Sequence, residues 1–156
     1  MGVNASFILL ALLGLLLVSA GIEDARLREI ANWKNSAIAL LAPLWWWAIG
    51  LAPWPDMAVQ LALAAVVFAL FAGAFAIGQM GGGDVKLIGA LALWLPLVPL
   101  VSMLVAMSLL GGALTLLMLA DARLRRTGQV PEIPYGVAIA AAGLLWIREP
   151  IINHFG

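Results

Sequence analysis

The length of its apolar runs constrains this chain more than any other feature. From Val3 to Ile147 hydrophobic residues gather in blocks near the roughly 20 residues that a helix needs to cross a bilayer. Inside hydrocarbon the backbone must satisfy its own hydrogen bonds, so only helices and closed barrels are admissible there. The blocks lack the alternating pattern of a barrel strand and therefore read as helices. With 65% hydrophobic and 10% charged residues the chain lies outside the range of soluble domains. The expected fold is all-α, a single polytopic membrane-embedded domain over residues 1–156 with about six transmembrane helices.

Residues 3–22 form the first block; no positive charge precedes it, which favours a retained span over a cleaved signal. A polar stretch, Glu23 to Asn35, leads to a second span over 36–51 and, after Ala52-Pro53-Trp54-Pro55-Asp56, to a third over 57–77. The fourth block, Val85 to Leu95, meets Pro96-Leu97-Val98-Pro99 after a length that covers only about half of the hydrocarbon thickness. Either it continues through the prolines, or it starts inside the slab with the preceding glycine-rich turn sunk below the surface. The second is favoured, because irregular backbone at depth is tolerated where it lines a wet cavity. The fifth and sixth spans occupy 100–120 and 135–147.

Placing both termini outside puts Arg26, Arg28, Lys34, Lys86, Arg123, Arg125 and Arg126 in cytoplasmic loops and leaves Arg148 outside, a clear positive-inside bias. Trp45 to Trp47, Trp54, Trp94 and Trp146 then fall toward the outer face, with Trp33 toward the inner one, as in an interfacial belt.

Chemistry centres on Gly81-Gly82-Gly83-Asp84-Val85-Lys86, where a carboxylate stands between three glycines and an apolar run. The plain reading of Asp84 is a helix N-cap. The alternative needs a second carboxylate on the same side of the membrane. Two crossings separate Asp24 from Asp84, so both return to one face, whereas Asp56 falls on the other. Asp121 competes with Asp24: Asp24-Ala25-Arg26-Leu27-Arg28 recurs as Asp121-Ala122-Arg123-Leu124-Arg125. In both copies the plain reading is an Asp and an Arg neutralising each other in the headgroup layer, and residue physics alone does not separate them. Lys86, two residues past Asp84, points to a different side of the helix and can snorkel to lipid headgroups. The chain has no cysteine and a single histidine, His154, beside the C-terminus, so no metal site or cofactor is expected. A net charge of zero gives no field for nucleic acid.

Gly81-Gly82-Gly83-Asp84-Val85-Lys86 resembles the Gly-x-Gly-Asp-x-Lys motif of the type IV prepilin peptidases, a family of GxGD aspartyl proteases. Asp24, with Ile30 and Asn32, is similar to that family's first aspartate segment, although Ala31 stands where proline is usual. Ile133-Pro134-Tyr135-Gly136-Val137-Ala138-Ile139-Ala140 is similar to the segment that opens its last span. The resemblance implies an intramembrane endopeptidase of the bacterial inner membrane that cuts leader peptides from prepilins or pseudopilins at the cytoplasmic face. Asp24 and Asp84 would be its catalytic pair, and Gly81, Gly82, Gly83 and Lys86 would lie along the substrate's approach. Such leaders are commonly basic, and Glu23 and Glu29 would either attract one or, the favoured reading, be solvated loop charges. Pilus or secretion machinery would be partners. Larger members carry a cysteine-bearing segment and also N-methylate their product; this chain resembles the short peptidases of Tad or Flp systems, and methylation is not expected. Two other classes compete: a small proton-coupled transporter, whose mark would be ionisable residues strung through span centres, and a noncatalytic secretion-assembly subunit.

Overall fold

The computed structural model describes residues 3–125 and 132–155, so Arg126 lies outside it. The described chain is all-helical: α1 (Val3–Leu27), α2 (Asn32–Ala48), α3 (Ala58–Ala76), α4 (Gly82–Ala92), α5 (Leu97–Leu124) and α6 (Tyr135–Phe155). Three segments are long and apolar enough to cross a membrane by themselves, Ala5–Leu27, Pro53–Ala76 and Leu97–Leu124. Apolar side chains face outward as well as inward, as lipid-facing helices require: Leu13 and Leu17 of α1 are fully buried while Leu15 between them is 68% exposed.

The short helix α4 is the hub. Nearly all of it is buried, and it packs against α2, α3 and α6; α1 lies on α6 and α2, and α5 lies on α6. A helix of 11 residues that stops inside an apolar bundle leaves its last carbonyls without intrahelical partners. Long-range donors supply them. Gln60 Nε2, on α3, donates to both Ala92 O and Leu95 O at 2.7 Å, and Trp46 Nε1, on α2, donates to Leu93 O at 2.7 Å. The helix therefore ends before the prolines rather than running through them, and Pro96, with ψ 166°, caps the start of α5.

Three of the tryptophans lie inside the bundle rather than on a lipid-facing belt. Trp45, Trp46 and Trp94 are buried, Trp94 donates to Ile38 O at 2.9 Å, and Trp45 and Trp94 stack with ring centroids 5.8 Å apart. Trp33, Trp47 and Trp54 alone among the tryptophans are largely exposed.

The polar stretch after the first span is also mostly helix. α1 continues through its charged residues to Leu27, and only residues 28–31 form the turn, in which Arg28 adopts a left-handed φ of 57°. Glu23 holds this turn closed. Its Oε2 accepts the Ala31 N–H at 3.0 Å and pairs with Lys34 Nζ at 2.9 Å, while Lys34, itself buried, also donates to Ser19 O at 3.1 Å. Glu23 is thus a structural clamp, not the solvated loop charge expected from its polar neighbourhood. At the far end of α3, Gly78 takes a φ of 75° that side chains resist; its N–H reaches Phe75 O and the Gln79 N–H reaches Ala74 O, which closes the helix and launches the glycine-rich turn into α4.

Replacing Gln60 by Leu keeps the volume and strands two carbonyls. It is expected to destabilise the protein by about 1–3 kcal/mol, measured by unfolding in mixed micelles. A loss no larger than that of the outward-facing variant Leu116→Ala would contradict this role of Gln60.

Candidate active site

Asp24 lies one turn before the end of α1 and Asp84 lies in the first turn of α4. The two line a single polar cavity of about 250 Å³, together with Gly81, Gly83, Arg28 and Asn32. Both carboxylates are buried, 5% and 9% exposed, and close enough that the charge of one acts on the other.

Each carboxylate is held by backbone amides, but unequally. Asp24 Oδ2 accepts the Val137 N–H at 3.1 Å, and the Gly136 N–H also donates to this carboxylate. These are opening amides of α6, and the Val137 N–H is shared with Pro134 O at 3.2 Å, so Asp24 adds from α1 to the cap of α6 and sits at the positive end of a helix dipole. Gly136 permits the approach: a Cβ there would stand 2.8 Å from Asp24 Cγ and 2.7 Å from Ile30 Cδ1. Asp84 accepts one amide, from Gly81. Gly81 is the N-cap of α4, and Asp84, three residues on, reaches back to it in half of a capping box; the aspartate is not itself the cap. Ile30, wedged between Gly136 and Gly83, and Asn35, whose Nδ2 donates to Gly83 O at 3.3 Å, fix the glycine turn against the α1–α2 turn.

The other residues singled out in the sequence fall elsewhere. Gly82 packs against Phe75 rather than on the cavity. Lys86 Nζ donates to Asn32 Oδ1 at 2.7 Å and faces the groove between α2, α3 and α4. Asp121 is exposed and paired at 2.8 Å with Nε of Arg125, the C-cap residue of the same helix. Asp56 is exposed beyond the opposite end of α2 from the cavity. Among the described residues no group of three or more His, Cys, Asp or Glu could hold a metal ion; the side chain of His154 lies outside them.

Gly136, Val137 and Asn35 did not stand out as site residues. Gly136 and Val137 lie in the segment similar to the one that opens the family's last span, and Gly136 adds a glycine in the opening turn of a helix, where another chain can come close.

An all-helical, multi-pass membrane protein with two buried carboxylates on one polar cavity is the class these features define. Residues 10–116 match the model of the type IV leader peptidase family, and the chain belongs to that family. It is therefore a membrane protease with a prepilin-type substrate in general. No curated protein and no solved structure matched the chain. Asp24 and Asp84 lie within the matched region; Gly136 lies beyond it.

Gly136→Ala should push the Asp24 carboxylate off its amides and lower leader cleavage by roughly 10- to 100-fold, with membrane insertion retained. Gly112→Ala, whose new methyl meets nothing within 4 Å, should leave cleavage unchanged. Equal activity of the two variants in a prepilin cleavage assay would contradict the role of the α6 amides.

Proposed function

We propose that this protein is an aspartic endopeptidase that cleaves the leader of prepilins or pseudopilins at the cytoplasmic face of a bacterial inner membrane, with Asp24 and Asp84 as its catalytic pair. The observation that carries this reading is the meeting of two buried carboxylates, from helices far apart in sequence, on one polar cavity. The six helices are then six crossings with both termini outside, which places the ends of α1 and α3 and the starts of α2 and α4 at the inner leaflet. The protease is one domain over 1–156.

Two facing carboxylates with little water cannot both ionise easily, so the pair shares one proton. The better-held carboxylate supports one assignment of that proton. Asp24, held by two amides at a helix N-terminus, is the better anion and the general base; Asp84, held by one, carries the proton. Asp24 takes a proton from water as the water oxygen bonds to the scissile carbonyl carbon. Asp84 donates its proton as the C–N bond breaks and the amine leaves. Gly81 and Gly83 leave backbone room on the cavity for an extended peptide. Lys86, on the groove side, steadies the mouth through Asn32 rather than touching the pair.

A transporter would need ionisable groups strung along the bundle. Among the described residues the buried ones, Asp24, Lys34 and Asp84, cluster at one end. The exposed Asp121–Arg125 pair has the geometry of a surface ion pair and no share in the cavity.

Asp24→Asn and Asp84→Asn should each lower the cleavage of a purified prepilin by roughly 10²- to 10⁴-fold, while Asp121→Asn cleaves normally. Retained cleavage in either of the first two variants would overturn the pair, and loss in the Asp121 variant alone would move the assignment there.

A further inference from the structure

One five-residue pattern stands at the end of two helices, and its two copies finish differently. Asp24-Ala25-Arg26-Leu27-Arg28 ends α1 and Asp121-Ala122-Arg123-Leu124-Arg125 ends α5. An Asp and an Arg four residues apart on a helix are within reach of each other. In the second copy they meet: Arg125, at a helical φ of −80°, pairs with Asp121 at 2.8 Å, and both are exposed. In the first copy Arg28 turns to a φ of 57°, and among the described residues no ion pair joins it to Asp24.

The left-handed turn itself does not call for an arginine. The Arg28 N–H closes α1 on Asp24 O at 2.9 Å, a bond that glycine would make there at lower cost. A long side chain in this conformation is uncommon, so the side chain needs a reason of its own. Arg28 is half-buried, lines the aspartate cavity, and its charge acts on Asp24 without contact. It is the only cation among the residues lining that cavity, where the other charges are Asp24, Glu29 and Asp84. Glu132, whose charge also acts on Asp24, is acidic as well. The neighbouring cations are committed elsewhere: Lys34 is held by Glu23 and Lys86 by Asn32, and Arg26 is exposed.

In the reaction proposed above the proton of Asp84 goes to the leaving amine, so the carbonyl oxygen needs a different donor. As the water oxygen bonds to the carbonyl carbon and Asp24 takes the water's proton, the carbonyl π pair moves onto its oxygen. Negative charge leaves Asp24 and appears on the substrate. A guanidinium paired with Asp24 would stabilise the ground state, whereas one held off both aspartates is left to bind the charge where it develops. Its fork of five N–H donors suits an oxyanion.

We propose that Arg28 is a catalytic residue of this peptidase, donating from its guanidinium to the carbonyl oxygen of the scissile bond as that oxygen becomes an anion. The assignment rests on the peptidase reading above and adds to it the group that holds the intermediate. When the intermediate collapses, the electron pair returns to the C=O bond, the C–N bond breaks, Asp84 protonates the amine, and Arg28 is released.

Arg28→Gly separates the side chain from the turn, because glycine adopts the left-handed conformation more readily than arginine. With a purified prepilin in phospholipid vesicles, it should lower kcat by roughly 10²- to 10³-fold and keep KM within about threefold of wild type. Arg28→Lys, which retains the charge, should cleave at least about tenfold faster than Arg28→Gly. Arg26→Gln, at the exposed position beside it, should cleave normally. Should Arg28→Gly fail to insert, Arg28→Gln compared with Arg28→Lys decides by the same criteria. Wild-type kcat in the glycine variant, a loss confined to KM, or equal losses in the glycine and lysine variants would overturn the oxyanion assignment. Cleavage by the wild-type protein that is lost in Asp84→Asn would leave the peptidase reading intact in each of those cases. Failure of the wild-type protein to cleave would remove both.

Discussion

Everything in this fold answers to one constraint: backbone amides and carbonyls at a helix end, once surrounded by apolar side chains, must find a partner from somewhere else in the chain. A helix as short as α4 ends inside the bundle at its C-terminus and opens on the polar cavity at its N-terminus. Its C-terminal carbonyls are met by Gln60 and Trp46, and the amide of its N-cap Gly81 by Asp84. The opening amides of α6 are met by Asp24. These bonds hold α4 to α2 and α3, and α1 to α6, where apolar contact alone would let lipid-bathed helices slide.

The same bonds set the proposed chemistry. A carboxylate that caps a neighbouring helix is fixed in place and oriented before any substrate arrives, which is what a positioned base requires. Asp24 and Asp84 each serve a helix terminus, and the termini they serve face one cavity. In the proposed reaction, structural need and catalytic use fall on the same two side chains. The unequal hold on the two side chains is the asymmetry that the proposed sharing of one proton uses. The Glu23–Lys34 clamp contributes at one remove: by closing the turn after α1 it brings Ile30 between Gly83 and Gly136 and so sets the spacing of the two carboxylates.

Much of this was legible in the residues. Apolar run lengths gave the helical class, Asp24 and Asp84 were singled out as a pair and do line one cavity, and the short block before Pro96 marked α4 as unusual. What stayed hidden was whatever depends on a partner distant in sequence. Gln60 reads as an ordinary polar interruption of an apolar helix until Ala92 and Leu95 are seen beside it. The tryptophans read as a belt because that rule is local, whereas Trp46 and Trp94 are buried as donors to other helices. Hydropathy ended the first span near Glu23, yet α1 continues because its charged residues find partners across the turn. Asp24 and Asp121 share the same five-residue setting and differ in what packs against them: the start of α6 for one, solvent and Arg125 for the other.

The convergence of Asp24 and Asp84 can be measured without reference to activity, because the chain contains no cysteine. Thiols placed at both positions in one chain, in native membranes, should be joined by a short bifunctional thiol reagent into an intramolecular product, while thiols at 84 and 121 should not. A crosslink between 84 and 121 in place of the one between 84 and 24 would contradict the placement of the pair.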